Sequence, residues 1–411
     1  MKKGKNIVAN KANRTHEAYG AYGLMIGLII LSLMGCSKDE VPSGGSNGEP
    51  AGTALVEVAS YVRWYDEAYG ANRAHEANKV NRAWAIPSGY VAYEGGEQPI
   101  GIAFTKNDVA PKIGSFFKSS DKWRTDLEDI AEGTYQLYGY IPHQTAINYS
   151  ITDYDGAEGP NGANGSYSTG AIMTLQNVPT VMPNDLCVVI GAKHGYDREH
   201  DGNNDGTNRL RQGDFSFTAK AGTDSKDYVF LLFDHLYAAL RVRMRVHDDY
   251  AALRTIKLKS LQLNTQAGET KTTKKTTITI KLKANDGSSS PIDTLTFTPT
   301  GEEIDGGLEF WSDDAGHKLT TDLQPFIGHF MPSGITKLIL TSTYDVYDTK
   351  GNLIRQGCKA TNTMVLQDLL TGQTVTERGK RYTIDMTIQP TYLYMLSEPD
   401  LDNPTVTINN N

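Results

Sequence analysis

From residue 53 onward the dominant pattern is strict alternation of apolar and polar positions. Tyr382, Ile384, Met386 and Ile388 alternate with Thr383, Asp385 and Thr387, which is the period of a strand with one buried face. The run from Thr276 to Lys283 puts its apolar residues on one side. Lys337 to Tyr347 and Thr294 to Thr298 are rich in β-branched and aromatic residues, which favour a pleated surface. Between Thr255 and Leu263 the apolar parity shifts, from Ile256 and Leu258 to Leu261 and Leu263. A bulge near Ser260 keeps both pairs on one face. Long helical periodicity is scarce, and the pattern predicts an all-β body.

The central segment from Phe230 to Val246 ends in a strand with Leu240, Val242, Met244 and Val246 on one face and Arg241, Arg243 and Arg245 on the other. The arginine stripe reads either as a solvated face paired with neighbouring polar groups or as a face for sugars or carboxylates. Just before it, Lys220 to Asp227 is polar and turn-rich. A boundary there gives an N-terminal β-sandwich at 54–220 and a C-terminal one at 227–411, each of ordinary domain size. The Gly/Asn/Asp-rich stretches from Asp153 to Ser168 and from Gly195 to Gln212 read as long surface loops.

The N-terminus has a different character. Basic residues precede an apolar stretch from Leu24 to Met34, which is too short to span a bilayer but suits a signal-peptide core. It ends in Leu33-Met34-Gly35-Cys36, the arrangement of a lipoprotein cleavage site. A signal peptide over 1–35, acylation of Cys36 and a flexible Pro/Gly/Ser-rich tether over 36–53 are expected. More than one acyl chain on a terminal cysteine anchors stably, where a single chain does not.

The chain has a net charge of -8, and residues 1–35 hold five basic residues and one acid, so the form beginning at Cys36 has a charge of -12. That balance argues against nucleic acid as a partner and against a basic membrane-binding face. Cys187 and Cys358, the other two cysteines, show no framework spacing. They read as small residues in strands rather than as a disulfide. No nucleophile elbow, phosphate loop or dinucleotide fingerprint occurs in a strand-to-helix context, so an enzyme is not expected.

Asp197 to Asp205 begins like a calcium loop, but the twelfth position, Asn208 or Gln212 in the two registers, lacks the bidentate acid. His194 and His200 flank that loop without a third ligand at workable spacing. His235 reads as a hydrogen-bonded structural histidine unless a nucleophile or substrate stands beside it. Neither a cofactor nor a metal is expected.

The lipoprotein signal, the β-rich body in two halves, the segment Phe233-Asp234-His235-Leu236-Tyr237-Ala238-Ala239-Leu240 and the closing run from Gly379 to Pro390 together resemble the fimbrillin family, the subunits of type V pili. The resemblance implies two tandem transthyretin-like β-sandwiches and an outer-membrane lipoprotein precursor. It also implies assembly with other pilus subunits after an arginine-specific protease removes the first strand. Ala54 to Val62 is the candidate removable strand, and Arg63 and Arg82, then Arg73, are the candidate cleavage sites. The same segment can equally be a permanent first strand followed by surface arginines. Thr391 to Leu396 and Thr405 to Ile408 are candidate donor strands, or else ordinary closing strands. The competing function is a non-polymerising surface lipoprotein that binds glycans through some of its 22 tyrosines.

Overall fold

The computed structural model describes residues 53–55, 57–67, 89–93, 97–107, 109–127, 131, 133–154, 167, 169–195, 210–219, 228–271, 273–285, 287–304, 306–369, 375–389 and 405–407. In chain order the first strands are β1 (Thr53–Leu55), β2 (Glu57–Arg63), β3 (Asp66–Glu67), β4 (Tyr90–Ala92), β5 (Ile100–Lys106), β6 (Val109–Ser119), β7 (Lys122–Thr125), β8 (Gly133–Ile141), β9 (Asn148–Asp153), β10 (Gly170–Pro179), β11 (Val181–Met182), β12 (Cys187–Gly195), β13 (Ser216–Ala219), β14 (Tyr228–His235) and β15 (Ala238–Val246). A short helix α1 (Asp248–Ala251) leads to β16 (Arg254–Ala267), β17 (Thr270–Lys271), β18 (Thr273–Lys283), β19 (Ile292–Glu303), β20 (Leu308–Lys318), β21 (Gln324–Phe330), β22 (Lys337–Asp348) and β23 (Leu353–Val365). A second short helix, α2 (Leu366–Leu369), precedes β24 (Lys380–Ile388) and β25 (Thr405–Thr407).

These strands form four sheets. The first runs β1-β7-β6-β5-β8-β12-β14-β2-β4 with β13 beside β8, and the second runs β19-β18-β10-β9. The third runs β11-β21-β15-β24-β25 with β3 beside β24, and the fourth runs β17-β16-β22-β23 with β20 beside β16. Val188, Ile190 and Leu232 of the first sheet pack against Met173, Leu175, Ile278 and Ile280 of the second. Val242, Met244 and Ile384 of the third pack against Ile256, Leu258, Leu261 and Leu340 of the fourth. The body is thus two pairs of packed sheets, the sandwich solution for strands with one apolar face.

The first sheet is buried on its other face as well. Leu137, Val189, Leu231 and Phe233 join Trp123, Val58 and Val62 in a separate core. Alternate residues of β14 therefore enter different cores, which explains the unbroken apolar run Val229 to Phe233.

β14 lies beyond the polar segment at 220–227 yet pairs with β12, and the β18–β19 hairpin pairs with β10. In return, β11 pairs with β21 and β3 with β24. Residues 54–220 and 227–411 each lend strands to both sandwiches, and for β14, apolar on both faces, this is the place where both are covered.

The alternating patterns hold in detail. Leu240, Val242, Met244 and Val246 are buried, and against both β20 and β22 the register of β16 shifts between Leu258 and Ser260. The arginine stripe faces an in-register parallel partner. Arg241 Nε donates to Thr383 Oγ1 at 3.0 Å, Arg245 Nε to Thr387 Oγ1 at 3.0 Å, and Arg243 grips Asp385 at 2.6 and 2.7 Å through Nε and Nη2. Asp385 is 8 % exposed, so its charge depends on that bidentate grip. Arg243→Leu is expected to destabilise the chain by about 1.5–3 kcal/mol, measured by urea denaturation.

Candidate functional site at the opening strand

The sequence suggests one strand from Ala54 to Val62, but the segment forms two. β1 pairs antiparallel with β7, Thr53 opposite Thr125 and Leu55 opposite Trp123. After residue 56, β2 pairs parallel with β14, Glu57 opposite Tyr228 and Val62 opposite Phe233. Two distant parts of one sheet are thus bridged by consecutive residues, which rolls the sheet around the core that holds Val58 and Val62. On its other side, among the described residues, β2 pairs with the three-residue β4, Val62 opposite Val91. Val58 and Val62 face the rolled core while Ala59 and Tyr61 pack toward the opposite one, so the strand seals both.

Beyond Arg63 the chain leaves the first sheet and enters the third, with Asp66 opposite Lys380 and Glu67 opposite Arg381. At this crossing it passes over a polar cluster. His235 ends β14 directly opposite Cys187 of β12. Its Nδ1 lies 2.6 Å from Asp185 Oδ2 and its Nε2 lies 2.5 Å from the carbonyl oxygen of Arg63. The Tyr65 ring stacks on the imidazole with centroids 3.8 Å apart, and the Arg381 guanidinium stands 5.1 Å from the Tyr65 ring centre. Gly379, at φ +65°, makes the turn into β24 and donates to the Tyr237 carbonyl. That turn, which a β-carbon would strain, aims Arg378 at Asp234 Oδ2 (2.9 Å) and at the His235 carbonyl (3.0 Å).

Both ring nitrogens of His235 face groups that only accept, a carboxylate and a carbonyl, so both must carry hydrogen and the ring is an imidazolium. The electrostatics agree. Burial works against the charge on His235, but the Asp185 carboxylate, Asp234 and the Arg63 carbonyl outweigh it and raise the pKa above the ordinary 6.5. Burial likewise opposes the Asp185 charge, yet His235 holds its pKa down at about 2. His329 has the opposite sign: burial lowers its pKa, and its Nδ1 donates to the Pro183 carbonyl at 3.1 Å.

The pH dependence follows. A histidine with a raised pKa contributes stability that is complete below 6.5 and is lost as pH rises through its folded value. Asp185 contributes above its ordinary 3.8 and loses that contribution as pH falls toward about 2. His329, folded in its neutral form, loses its contribution as pH falls below 6.5. On the alkaline side the thermal midpoint is expected to fall as His235 deprotonates, a fall absent in His235→Gln, as calorimetry across that range can check.

Asp185, Cys187 and His235 bring ligand-type atoms within 4.8 Å of one another, but their spacing is that of hydrogen bonds. Two ligands on a tetrahedral zinc at about 2.0–2.1 Å stand roughly 3.4 Å apart, against 2.6 Å for Nδ1 and Oδ2. Burial and the neighbouring Asp185 push the Cys187 thiol well up in pKa, and Sγ donates to Asp185 Oδ2 at 3.1 Å. A protonated, buried thiol is no nucleophile. Cys187 and Cys358 are both free, in different cores.

Of the candidate cleavage residues, Arg63 ends β2 with an exposed side chain and a held carbonyl. Arg73, Arg82, the signal segment, Cys36 and its tether lie outside the described residues, as do the Asp197 to Asp205 loop, His200 and Thr391 to Leu396. His194 packs its ring 4.9 Å from Phe217. β25, from the second candidate donor segment, pairs with β24, Val406 opposite Met386. Asp185, Tyr65 and Arg378 went unidentified in the sequence, where nothing marks them except the proximity of Asp185 to Cys187.

No family model matches this chain, and no curated protein matches it. Several solved structures are similar at a distance. A proposed cell adhesion protein of Bacteroides fragilis is 8 % identical, over 86 % of this chain and 97 % of its own, with a TM-score of 0.33. The fimbrial anchor protein Mfa2 of Porphyromonas gingivalis is 12 % identical over 85 % of this chain and 95 % of its own, at 0.23. A fimbrial protein of Bacteroides ovatus is 10 % identical over 83 % of this chain and 51 % of its own, at 0.29. All three are named for adhesion or fimbriae, and at these scores the likeness is a distant one.

Proposed function

We propose that this chain is a structural and adhesive subunit of a surface fibre of the type V pilus kind. In this reading it is exported as an outer-membrane lipoprotein acylated at Cys36, built as tandem transthyretin-like sandwiches, and assembled by strand exchange. The observation that carries the reading is the bridging position of the opening segment. Removing β1 and β2 after a cut at Arg63, or at Arg73 or Arg82 further on, takes the cross-strand partners from β7 and β14 together and uncovers the core around Phe233 and Trp123. Unpaired edges beside an open apolar groove are costly. A strand from another subunit restores both the ladder hydrogen bonds and the alternating plugs.

Glycan binding through tyrosine finds less support. Tyr138, Tyr140, Tyr237 and Tyr250 are fully buried, and Tyr237 spends its hydroxyl on the Pro179 carbonyl at 2.5 Å. The test is cleavage with an arginine-specific protease, then denaturing gels with and without heating. The reading predicts a discrete cut between Arg63 and Arg82 and heat-sensitive multimers afterwards. A trimmed chain that remains monomeric, with saturable sugar binding, supports the competing function instead.

A further inference from the structure

One hydrogen bond joins the polar cluster to the end of the opening strand: His235 Nε2 to the carbonyl of Arg63. Nδ1 of the same ring is fixed on Asp185, and Tyr65, two residues beyond Arg63, lies flat on the imidazole face. We propose that His235 is a proton-controlled latch, which as an imidazolium clamps the Arg63 carbonyl and as a neutral ring lets the end of the opening strand go.

The chemistry runs through the two nitrogens. A neutral imidazole keeps one N–H, and the Asp185 carboxylate, the stronger acceptor, retains it. The bare lone pair of Nε2 then faces the carbonyl oxygen of Arg63, and two acceptors at 2.5 Å repel. A cavity of about 70 Å³ beside Val62, Tyr65, His235 and His329 has room for water to take over the freed carbonyl.

The surrounding charges single out His235 as the group that switches. Asp185 and the Cys187 thiol face it from the β11–β12 side. Asp234, on its own strand, is paired with Arg378, which also holds the His235 carbonyl. Across Tyr65 stand His329 on β21 and Arg381 on β24, and Tyr93 caps the strand from the far side with its hydroxyl on the Asp185 carbonyl at 2.8 Å. Near neutral pH His329 is already uncharged, the arginines keep their charge, and Asp185 is fully ionised. The latch rests on the proposed removal of the opening strand and adds when it happens. A protease must take the scissile carbonyl into its own hydrogen bonds, so the clamped Arg63–Trp64 peptide is protected and the released one is open to cutting.

The experiment uses the intact, uncut chain and no protease. Amide hydrogen exchange followed by mass spectrometry is measured from pH 5 to pH 10 and corrected for the intrinsic rate, comparing wild type with His235→Gln and Asp185→Asn. Wild type is expected to lose protection in the peptide covering 57–65 by about tenfold or more as pH rises, while the β5 peptide stays constant. His235→Gln is expected to show no such step. Asp185→Asn, whose amide can turn its NH2 toward Nδ1 so that the neutral ring keeps its one N–H on the Arg63 carbonyl, is expected to lose the step as well, and it decides the matter alone if His235→Gln does not fold. A step of equal size and position in wild type and the variants, or none in wild type, overturns the latch. A clear step together with cleaved chains that stay monomeric keeps the latch and removes the fibre reading. A flat response together with multimers does the reverse.

Discussion

Replacing Val62 with Asp is expected to open the first sandwich at its seam. Val62 is 7 % exposed and faces the rolled core, with backbone partners in β14 and β4 on either side. The change loses about 1.5–3 kcal/mol of apolar burial and sets a carboxylate among Phe233, Val58 and Trp123, so the total is on the order of 4 kcal/mol or more. For a body of this size that corresponds to a fall of about 5 °C or more in thermal midpoint. Arginine-directed proteolysis should then cut after Arg63 faster than in wild type. Ile113→Asp, on a side chain that is 46 % exposed, serves as the control and should shift the midpoint by little more than the error. Equal shifts for the two variants would mean that the opening strand does not seal the core.

Asp185→Ala should be almost as damaging for a different reason. Asp185 is 11 % exposed and His235 is 1 % exposed, so removing the carboxylate strands a buried imidazolium. Breaking one side of such a pair costs about 3–5 kcal/mol. The ring avoids part of that cost by losing its Nδ1 proton, and with no carboxylate to hold that site the neutral ring keeps its one N–H on the Arg63 carbonyl. The single variant should therefore be less stable, while its hold on the Arg63 carbonyl no longer responds to a rise in pH. Adding His235→Leu removes the stranded charge, and the double variant should recover part of the lost stability. A double-mutant cycle by chemical denaturation reads this coupling directly, and additive losses would show that the two groups do not act as a pair.

What could be read in the sequence was local. The alternation in β15 and β24 and the bulge at Ser260 follow from the two-residue period of a strand, which needs no knowledge of partners. That the apolar run Val229 to Phe233 is buried on both faces emerges only from the fold, because pairing with β2 joins residues more than 160 positions apart. His235 was legible as a hydrogen-bonded structural residue. Its partners were not, since Asp185 lies 50 residues away and the Arg63 carbonyl 172. A main-chain oxygen, moreover, leaves no trace in side-chain patterns. The division of the opening segment into β1 and β2 was hidden because Ala54 to Val62 reads as one continuous strand, and only the rolling of the first sheet brings β7 and β14 to its two halves.

The opening segment and the groove beneath it can be tested apart from everything else. After arginine-directed trimming, a synthetic peptide with the sequence of residues 54–63 is added in excess and the size distribution is followed by light scattering. Seating of a strand between β7 and β14 predicts that the trimmed chain alone grows into multimers and that the peptide holds it as a monomer. Multimers that form equally with and without the peptide, or a trimmed chain that stays monomeric in its absence, contradict it.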